Sequence, residues 1–334
     1  MKLGSCHLWG DDLEDFCNQI KLAHQLGYDL IGVGDSPAGW HDVYISLAIA
    51  AQIAPNTRLM PFVTSPFIRH PLAAANALCS LDELSHGQVQ LGLSTGGSNI
   101  MAIGHKPASQ AKINDYWQAI SRLFSGNSAQ YENRPVAALQ YPRKIPIYYS
   151  AFGPKALALA GQKADGVILF SNDNFDLLDE KIAIVRNAAH QAGRNADDIE
   201  IIVTSYCSIR PTRRQALDDL KAFIVVNGLA LARSPELMAQ IPAEHRAAIN
   251  ELLRRYDTSE HVQVGGKNSQ LLDELGLTDY LGQFDTIAGT PAYVAKVLSE
   301  LKQRGVSTFV VNMPGHADRE GTMRELANIR NQLA

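Results

Sequence analysis

The chain has 334 residues, 46% of them apolar and 19% charged, and carries a net charge of -4. One large core is affordable at this length, the balance is that of a water-soluble globular fold, and no basic block recommends nucleic acid as a partner. No apolar run approaches the roughly 20 residues of a membrane helix, the opening MKLGSCHLWGDDLEDF has no apolar h-region of a signal peptide, and Cys6, Cys17, Cys79 and Cys207 lack CxxC spacing, which argues against bound metal or a redox dithiol and fits a reducing cytoplasm.

In chain order, strands are expected at Lys2 to Leu8, Leu30 to Gly34, Arg58 to Val63, Val89 to Leu93, Ile145 to Ser150, Gly166 to Phe170, Ile199 to Tyr206 and Thr308 to Asn312. Between most of them lie stretches with apolar residues at helical spacing, as at Leu13, Phe16 and Ile20, at Val43, Leu47 and Ala50, at Leu72 to Leu84, and at Leu177 to Ala189. Strands that alternate with helices in this way predict an α/β fold closed as a (β/α)8 TIM barrel. A doubly wound open sheet is the alternative. Its first βα turn would carry a glycine fingerprint, and here that turn is Trp9-Gly10-Asp11-Asp12 with no GxGxxG. One segment breaks the alternation, between the seventh strand and the eighth. Pro211 to Leu253 is helical in pattern and Tyr256 to Tyr280 is polar. The expectation is a single barrel domain over residues 1–334 with a helical and irregular insertion, 211–281, at its C-terminal face. That insertion serves either as a pocket wall or lid, or as a helical decoration or dimer contact.

In a barrel the strand C-termini and the loops after them build the active site. This singles out His7 and Trp9 after the first strand; Asp35, Ser36, Trp40 and His41 after the second; Phe62, Val63, Thr64 and Ser65, then Arg69 and His70, after the third; and Ser94 to Asn99 after the fourth. Ser150 follows from the fifth, Asn312, Met313 and His316 from the eighth. His7 is either a structural histidine or a proton-transfer group, and Asp35 either caps the next helix or faces the reacting centre. Trp9 and Trp40 are ordinary packing, or flat walls against an aromatic ligand. Arg69-His70-Pro71 reads as a helix start. The stretch Ser150 to Phe170, SAFGPKALALAGQKADGVILF, joins two strands through Gly153-Pro154 and a short helix. Such a turn either only reverses the chain or presents free amides and a helix dipole to a phosphate. No GxSxG elbow, no HExxH and no pair of strand-end carboxylates is present, and the only lysine near the turn, Lys155, lies inside the helix start. A non-redox phosphate barrel such as an aldolase is therefore disfavoured. The polar and aromatic lining suits a large cofactor that carries its own chemistry.

Three segments together resemble the luciferase-like flavin and deazaflavin oxidoreductases, closest to the methylenetetrahydromethanopterin reductase-like branch. They are Gly27-Tyr28-Asp29 through Gly34-Asp35; Val63-Thr64-Ser65-Pro66 with Arg69-His70-Pro71 and Ser80 to Gly87; and Gly153-Pro154-Lys155-Ala156-Leu157 with Ala164-Asp165-Gly166. The resemblance implies a barrel, often dimeric, with an isoalloxazine-type ring at its mouth. It implies a cis peptide at Phe62–Val63 behind the ring, ring and side-chain contacts from Phe62, Val63, Thr64, Thr95 and Gly96, and phosphate binding by Ala151, Phe152 and Gly153. Trp9, Trp40 and Asn99 are then the substrate-pocket candidates, and Asp35 and His7 the acid/base candidates. The implied activity is hydride transfer between the deazaflavin coenzyme (F-420) and a small organic substrate. The alternative is an FMN-dependent monooxygenase fed by a partner flavin reductase, and the third reading is a flavin-binding barrel without turnover. The chain also departs from the family. Related deazaflavin enzymes carry an acid after the strand-four glycine where this chain has Gly97-Ser98, and a sugar-phosphate dehydrogenase has His where this chain has Ser36. Their proton-transfer residues and substrates are not carried over.

Overall fold

The computed structural model describes residues 1–232 and 235–333. Eight parallel strands form the barrel: β1 (Lys2–His7), β2 (Leu30–Val33), β3 (Arg58–Pro61), β4 (Leu91–Leu93), β5 (Ile147–Ser150), β6 (Gly166–Phe170), β7 (Glu200–Ile209) and β8 (Thr308–Asn312). They pair in the order β3-β2-β1-β8-β7-β6-β5-β4, and bridges Leu59–Val89 and Thr64–Leu93 close the ring. Helices such as Leu13–Gln25, Val43–Ile53, Pro71–Leu84, Gln110–Phe124 and Phe175–Gln191 form the outer layer and bury their apolar faces against the strands. This is the (β/α)8 barrel expected from the alternation. Among the described residues no helix is long and apolar enough to cross a membrane.

Side chains alternate between the barrel interior and the helix layer, as strand geometry requires. Cys6, Leu30, Met60, Tyr148, Ile168, Ile202 and Val310 fill the interior, with Phe62 and Val63 above them. Large groups fit there because small ones face them. A Cβ on Gly32 would stand 2.7 Å from the Phe62 side chain, and one on Gly166 would stand 2.2 Å from the Tyr148 ring.

Between β7 and β8 the chain is mostly helical: Arg213–Asp219, Lys221–Ala232, Pro235–Gln240, Ala243–Arg255 and Lys267–Glu274. These helices bury Leu217, Ile224, Ile249, Leu252 and Leu272 in a core of their own. Two features go beyond the expected elements. Strand β7 runs on to Ile209, where a short strand, Thr286–Gly289, pairs with it in parallel. A small hairpin, Ala129–Tyr131 with Arg134–Val136, turns on Glu132 and Asn133, both at positive φ.

The barrel's N-terminal end is closed by a polar plug. Glu200 accepts both its bonds to Arg58 at 3.0 and 3.1 Å, and further bonds from Ser307 at 3.0 Å, from Thr308 at 3.1 Å and from the Tyr148 hydroxyl. Burial alone would raise the Glu200 carboxyl, but the Tyr148 hydroxyl, the Arg58 charge and Ser307 outweigh it and hold it below its ordinary 4.5. The stability Glu200 contributes is therefore full above that value and is lost as pH falls through the lower folded-state value. Glu200→Gln should cost about 2 kcal/mol at neutral pH, because Arg58 loses its partner in a half-dry site. In urea titrations the gap between wild type and variant should close on acidification below 4.5; a gap independent of pH would refute the assignment.

Candidate active site at the barrel mouth

The ends of β2, β3 and β4 are tied to one residue. Asp35 is buried, two residues past the end of β2. Thr64 donates its hydroxyl to Asp35 Oδ2 at 2.6 Å. Arg69 donates to both carboxylate oxygens, at 3.1 and 2.9 Å. Asn99 donates its Nδ2 to the Asp35 carbonyl at 3.0 Å. Arg69 also pairs with Asp42, which caps the helix Val43–Ile53, and its guanidinium lies 4.7 Å from the centre of the Tyr44 ring. Asp35 therefore does not cap its own helix; Asp42 does.

The bond between Phe62 and Val63 is cis. Phe62 and Val63 are half-buried and floor the mouth. Thr64 is buried, and its amide bonds to the Gly92 carbonyl at 2.9 Å. Thr95 and Gly96 are half-buried on the loop after β4, where Gly96 has φ +91°, a value glycine adopts without strain.

The helices after Asp12, Asp42, His70, Ser109, Asn174 and Thr290 each begin on a side chain that accepts a backbone amide. The helix Pro154–Lys163 begins on Gly153 with no side-chain cap. Among the described residues, the amides of Gly153 and Lys155 make no hydrogen bond to the backbone. A Cβ on Gly153 would meet nothing within 4 Å, so this helix end faces open space. An uncapped N-terminus with its dipole and free amides fits an anionic oxygen group. Ala151 is buried, and Phe152 beside it is 61% exposed.

Two other expected site residues, His7 and Asn99, do not line the mouth. His7 does not face the mouth. Alternation puts Cys6 inside the barrel and His7 against the helix layer, fully buried. Its Nδ1 is 3.1 Å from Gln19 Oε1 and its Nε2 is 2.8 Å from Ser5 Oγ. Burial lowers its pKa to about 4, with the Gln19 bond acting the other way, so the ring is neutral near pH 7 and has no free nitrogen for a ligand. The expectation of an acid/base His7 is corrected on that geometry. Asn99 is also buried, and its Oδ1 accepts from Gly97 and Ile100 while its Nδ2 holds Asp35; the amide is spent inside the loop, not on a pocket. Trp9 packs against His41, 4.2 Å between ring centres, and against Phe16 at 6.2 Å. Trp40 is half-buried beside Gly10.

One feature escaped the sequence reading. Phe152, Phe170, Tyr206 and Phe223 form a continuous row, with ring centres 5.6, 6.1 and 4.0 Å apart, from the Gly153 turn across the ends of β6 and β7 to the helix Lys221–Ala232. The strand-end rule that selected Ser150 applies equally to Phe170 and Tyr206, the last residues of the expected sixth and seventh strands. The helical segment is pinned at the same place. Asp219 accepts from Ser208 at 2.7 Å and from Arg210 at 2.7 and 3.1 Å. His316 bonds through Nε2 to the Cys207 carbonyl at 2.9 Å. Among the described residues no group of three or more His, Cys, Asp or Glu is arranged to hold a metal ion.

A family model described as luciferase-like monooxygenase matches residues 1–308. The chain is 27% identical to a 5,10-methylenetetrahydromethanopterin reductase of Methanopyrus kandleri, over 90% of this chain and 89% of the relative. It is 29% identical to an F420-dependent glucose-6-phosphate dehydrogenase of Nakamurella multipartita, over 69% and 73%. Its fold matches the solved structure of the coenzyme F420 dependent tetrahydromethanopterin reductase from Methanopyrus kandleri with a TM-score of 0.78 and 23% identity, covering 100% of this chain and 99% of that one.

The buried Asp35–Arg69 pair is testable by a double-mutant cycle. Arg69→Met should cost about 3 kcal/mol, because it strands a buried carboxylate, and Asp35→Asn in the same chain should recover part of that loss. Additive costs measured by denaturant unfolding would show that the pair is not coupled.

Proposed function

The chain belongs to the luciferase-like monooxygenase family, and on that premise we propose that it is an oxidoreductase exchanging a hydride between the deazaflavin coenzyme and a small organic substrate. The observation that carries this reading is the uncapped helix start at Gly153, which follows β5, the strand paired with β4 whose loop carries Thr95 and Gly96. The residues fit the group. Phe152 and Gly153 would hold its phosphate through backbone amides; the third expected amide, that of Ala151, is already donated to the Ile168 carbonyl at 3.2 Å. Phe62 and Val63 would back its ring, with Thr64, Thr95 and Gly96 at the ring edge and side chain. When bound, the coenzyme supplies the hydride chemistry, and the protein supplies orientation and polar contacts. Asp35 acts as a positioning residue: with Arg69 on both oxygens, it aims the Thr64 hydroxyl and fixes the loops after β3 and β4. Trp9 and Trp40 border the substrate side. The helices of 211–281 wall the same pocket within one barrel domain, and the aromatic row supports that placement.

We also infer a homodimer. The helix Val43–Ile53 carries no charged residue and leaves Ile45 57% exposed on the outside of the barrel, an apolar face that a second copy would cover. Sedimentation should give twice the mass of the chain, and Ile45→Glu should give a monomer; a wild-type monomer contradicts the inference.

Gly153→Val tests the cofactor assignment. The Gly153 backbone is extended, φ -97° and ψ 165°, and its Cβ site is open, so valine is tolerated by the fold. The methyl groups would occupy the space over the helix start, and deazaflavin affinity read by fluorescence quenching should fall at least about tenfold, the scale of a few lost charge-assisted hydrogen bonds. Unchanged affinity would move the phosphate elsewhere.

A further inference from the structure

A second cavity of about 710 Å³ lies next to the mouth, and none of the roles above uses it. Phe170, Asn172, Lys181, Arg213, Gln283 and Asp285 line it. Phe170 is shared with the aromatic row, where it stacks on Phe152 beside the Gly153 turn. The cavity therefore shares Phe170 with the aromatic row that starts at the Gly153 turn.

Its charges are unusual. Lys181 reaches from the helix Phe175–Gln191 to the Phe170 carbonyl at 2.9 Å. Arg213 touches the carbonyls of Ala288 and Gly282, both at a long 3.3 Å. Lys181 is half-buried and Arg213 is exposed at the rim, and among the described residues neither lies within 4.0 Å of a carboxylate oxygen, whereas half-buried cations such as Arg58, Arg69 and Arg304 do. Those carbonyl bonds use a minority of the N–H donors on the two groups. Burial lowers the Lys181 pKa, with Asp285 acting the other way, which marks the ammonium as partly dehydrated. An oxyanion placed between the Lys181 ammonium and the Arg213 guanidinium would take up the N–H donors that the carbonyls leave free and form charge-assisted bonds to both. Two carboxylates stand nearby. Asp173 accepts the Tyr293 hydroxyl at 2.8 Å, and Asp285 sits at φ +54° with its carboxyl raised by burial, partly offset by Lys181.

We propose that this cavity is an oxyanion subsite, in which Lys181 and Arg213 bind a carboxylate or phosphate group carried by a ligand that also reaches the barrel mouth. The assignment does not depend on which redox cofactor the mouth takes. The anion belongs either to the substrate or to a distal part of the cofactor, and one set of measurements separates the two.

Inorganic phosphate is the probe, titrated calorimetrically into Gly153→Val protein so that the helix start does not contribute. Binding should persist there. Lys181→Met, which keeps the aliphatic stem, and Arg213→Gln should each weaken it about tenfold, the scale of one charge-assisted contact. Asp285→Asn removes a competing anion at a left-handed position that asparagine accepts, and should tighten phosphate binding, a gain that a misfolded chain does not give. Unchanged phosphate affinity in both cation variants, or weaker binding in Asp285→Asn, would overturn the subsite. In otherwise wild-type protein, Lys181→Met then assigns the source: loss of deazaflavin affinity gives the anion to the cofactor, and unchanged deazaflavin affinity alongside lost phosphate binding gives it to the substrate. Failure of the wild type to bind deazaflavin would sink the proposed function and leave the phosphate result standing.

Discussion

The buried carboxylate of Asp35 is the interaction on which the mouth depends. It gathers the Thr64 hydroxyl, the Arg69 guanidinium and, through its carbonyl, the Asn99 amide, so the loops after β2, β3 and β4 share one anchor. A charge this deep is tolerable only because Arg69 neutralises it and hydrogen bonds surround it. The same arrangement limits its chemistry. A carboxylate occupied by Arg69 and Thr64 orients its neighbours better than it shuttles protons. The loops that would meet a cofactor ring are thus set before any ligand arrives, the kind of preorganisation a cofactor enzyme needs from its protein.

The two ends of the barrel are built for opposite purposes. At the N-terminal end, Glu200, Arg58, Tyr148 and Thr308 satisfy one another and seal the interior. At the C-terminal end the polar groups are spent on loops, and the helix at Gly153 is left without a cap. Barrels keep stability and chemistry apart in this way. The helical segment after β7 brings a hydrophobic core of its helices and joins the mouth through the Tyr206–Phe223 stack and the Asp219 bonds to Ser208 and Arg210. Its core is continuous with Ala288 and with Tyr206 of β7, on which Phe223 stacks.

Much of this was legible from the residues. The eight strands could be placed because parallel barrel strands are short apolar runs bounded by turn residues and separated by amphipathic helices. The Gly153-Pro154 turn was visible because a glycine before an N1 proline leaves nothing to cap the helix. His7 was misjudged for a physical reason. Ser5, Cys6 and His7 are consecutive, and which of them faces inward is set by pairing with β2 and β8, so a one-residue change of parity moves the imidazole from mouth to helix layer. Asn99 and Arg69 were hidden by their partners: Asp35 lies 64 and 34 residues away along the chain. The strand Thr286–Gly289 and the extension of β7 support only each other at that edge, and the hairpin turns on Glu132-Asn133 without a glycine, so neither gave a strong local signal.

The mouth is proposed to hold a deazaflavin. FMN and the deazaflavin coenzyme carry the same phosphate next to the same ribityl chain, so the Gly153 turn receives either and the ring contacts must decide. A paired equilibrium titration of the purified protein with the two compounds, followed by visible absorbance, asks the question directly. The protein should bind the deazaflavin saturably and in preference to FMN. Tight binding of FMN alone would contradict the cofactor, and binding of neither would contradict the redox reading altogether.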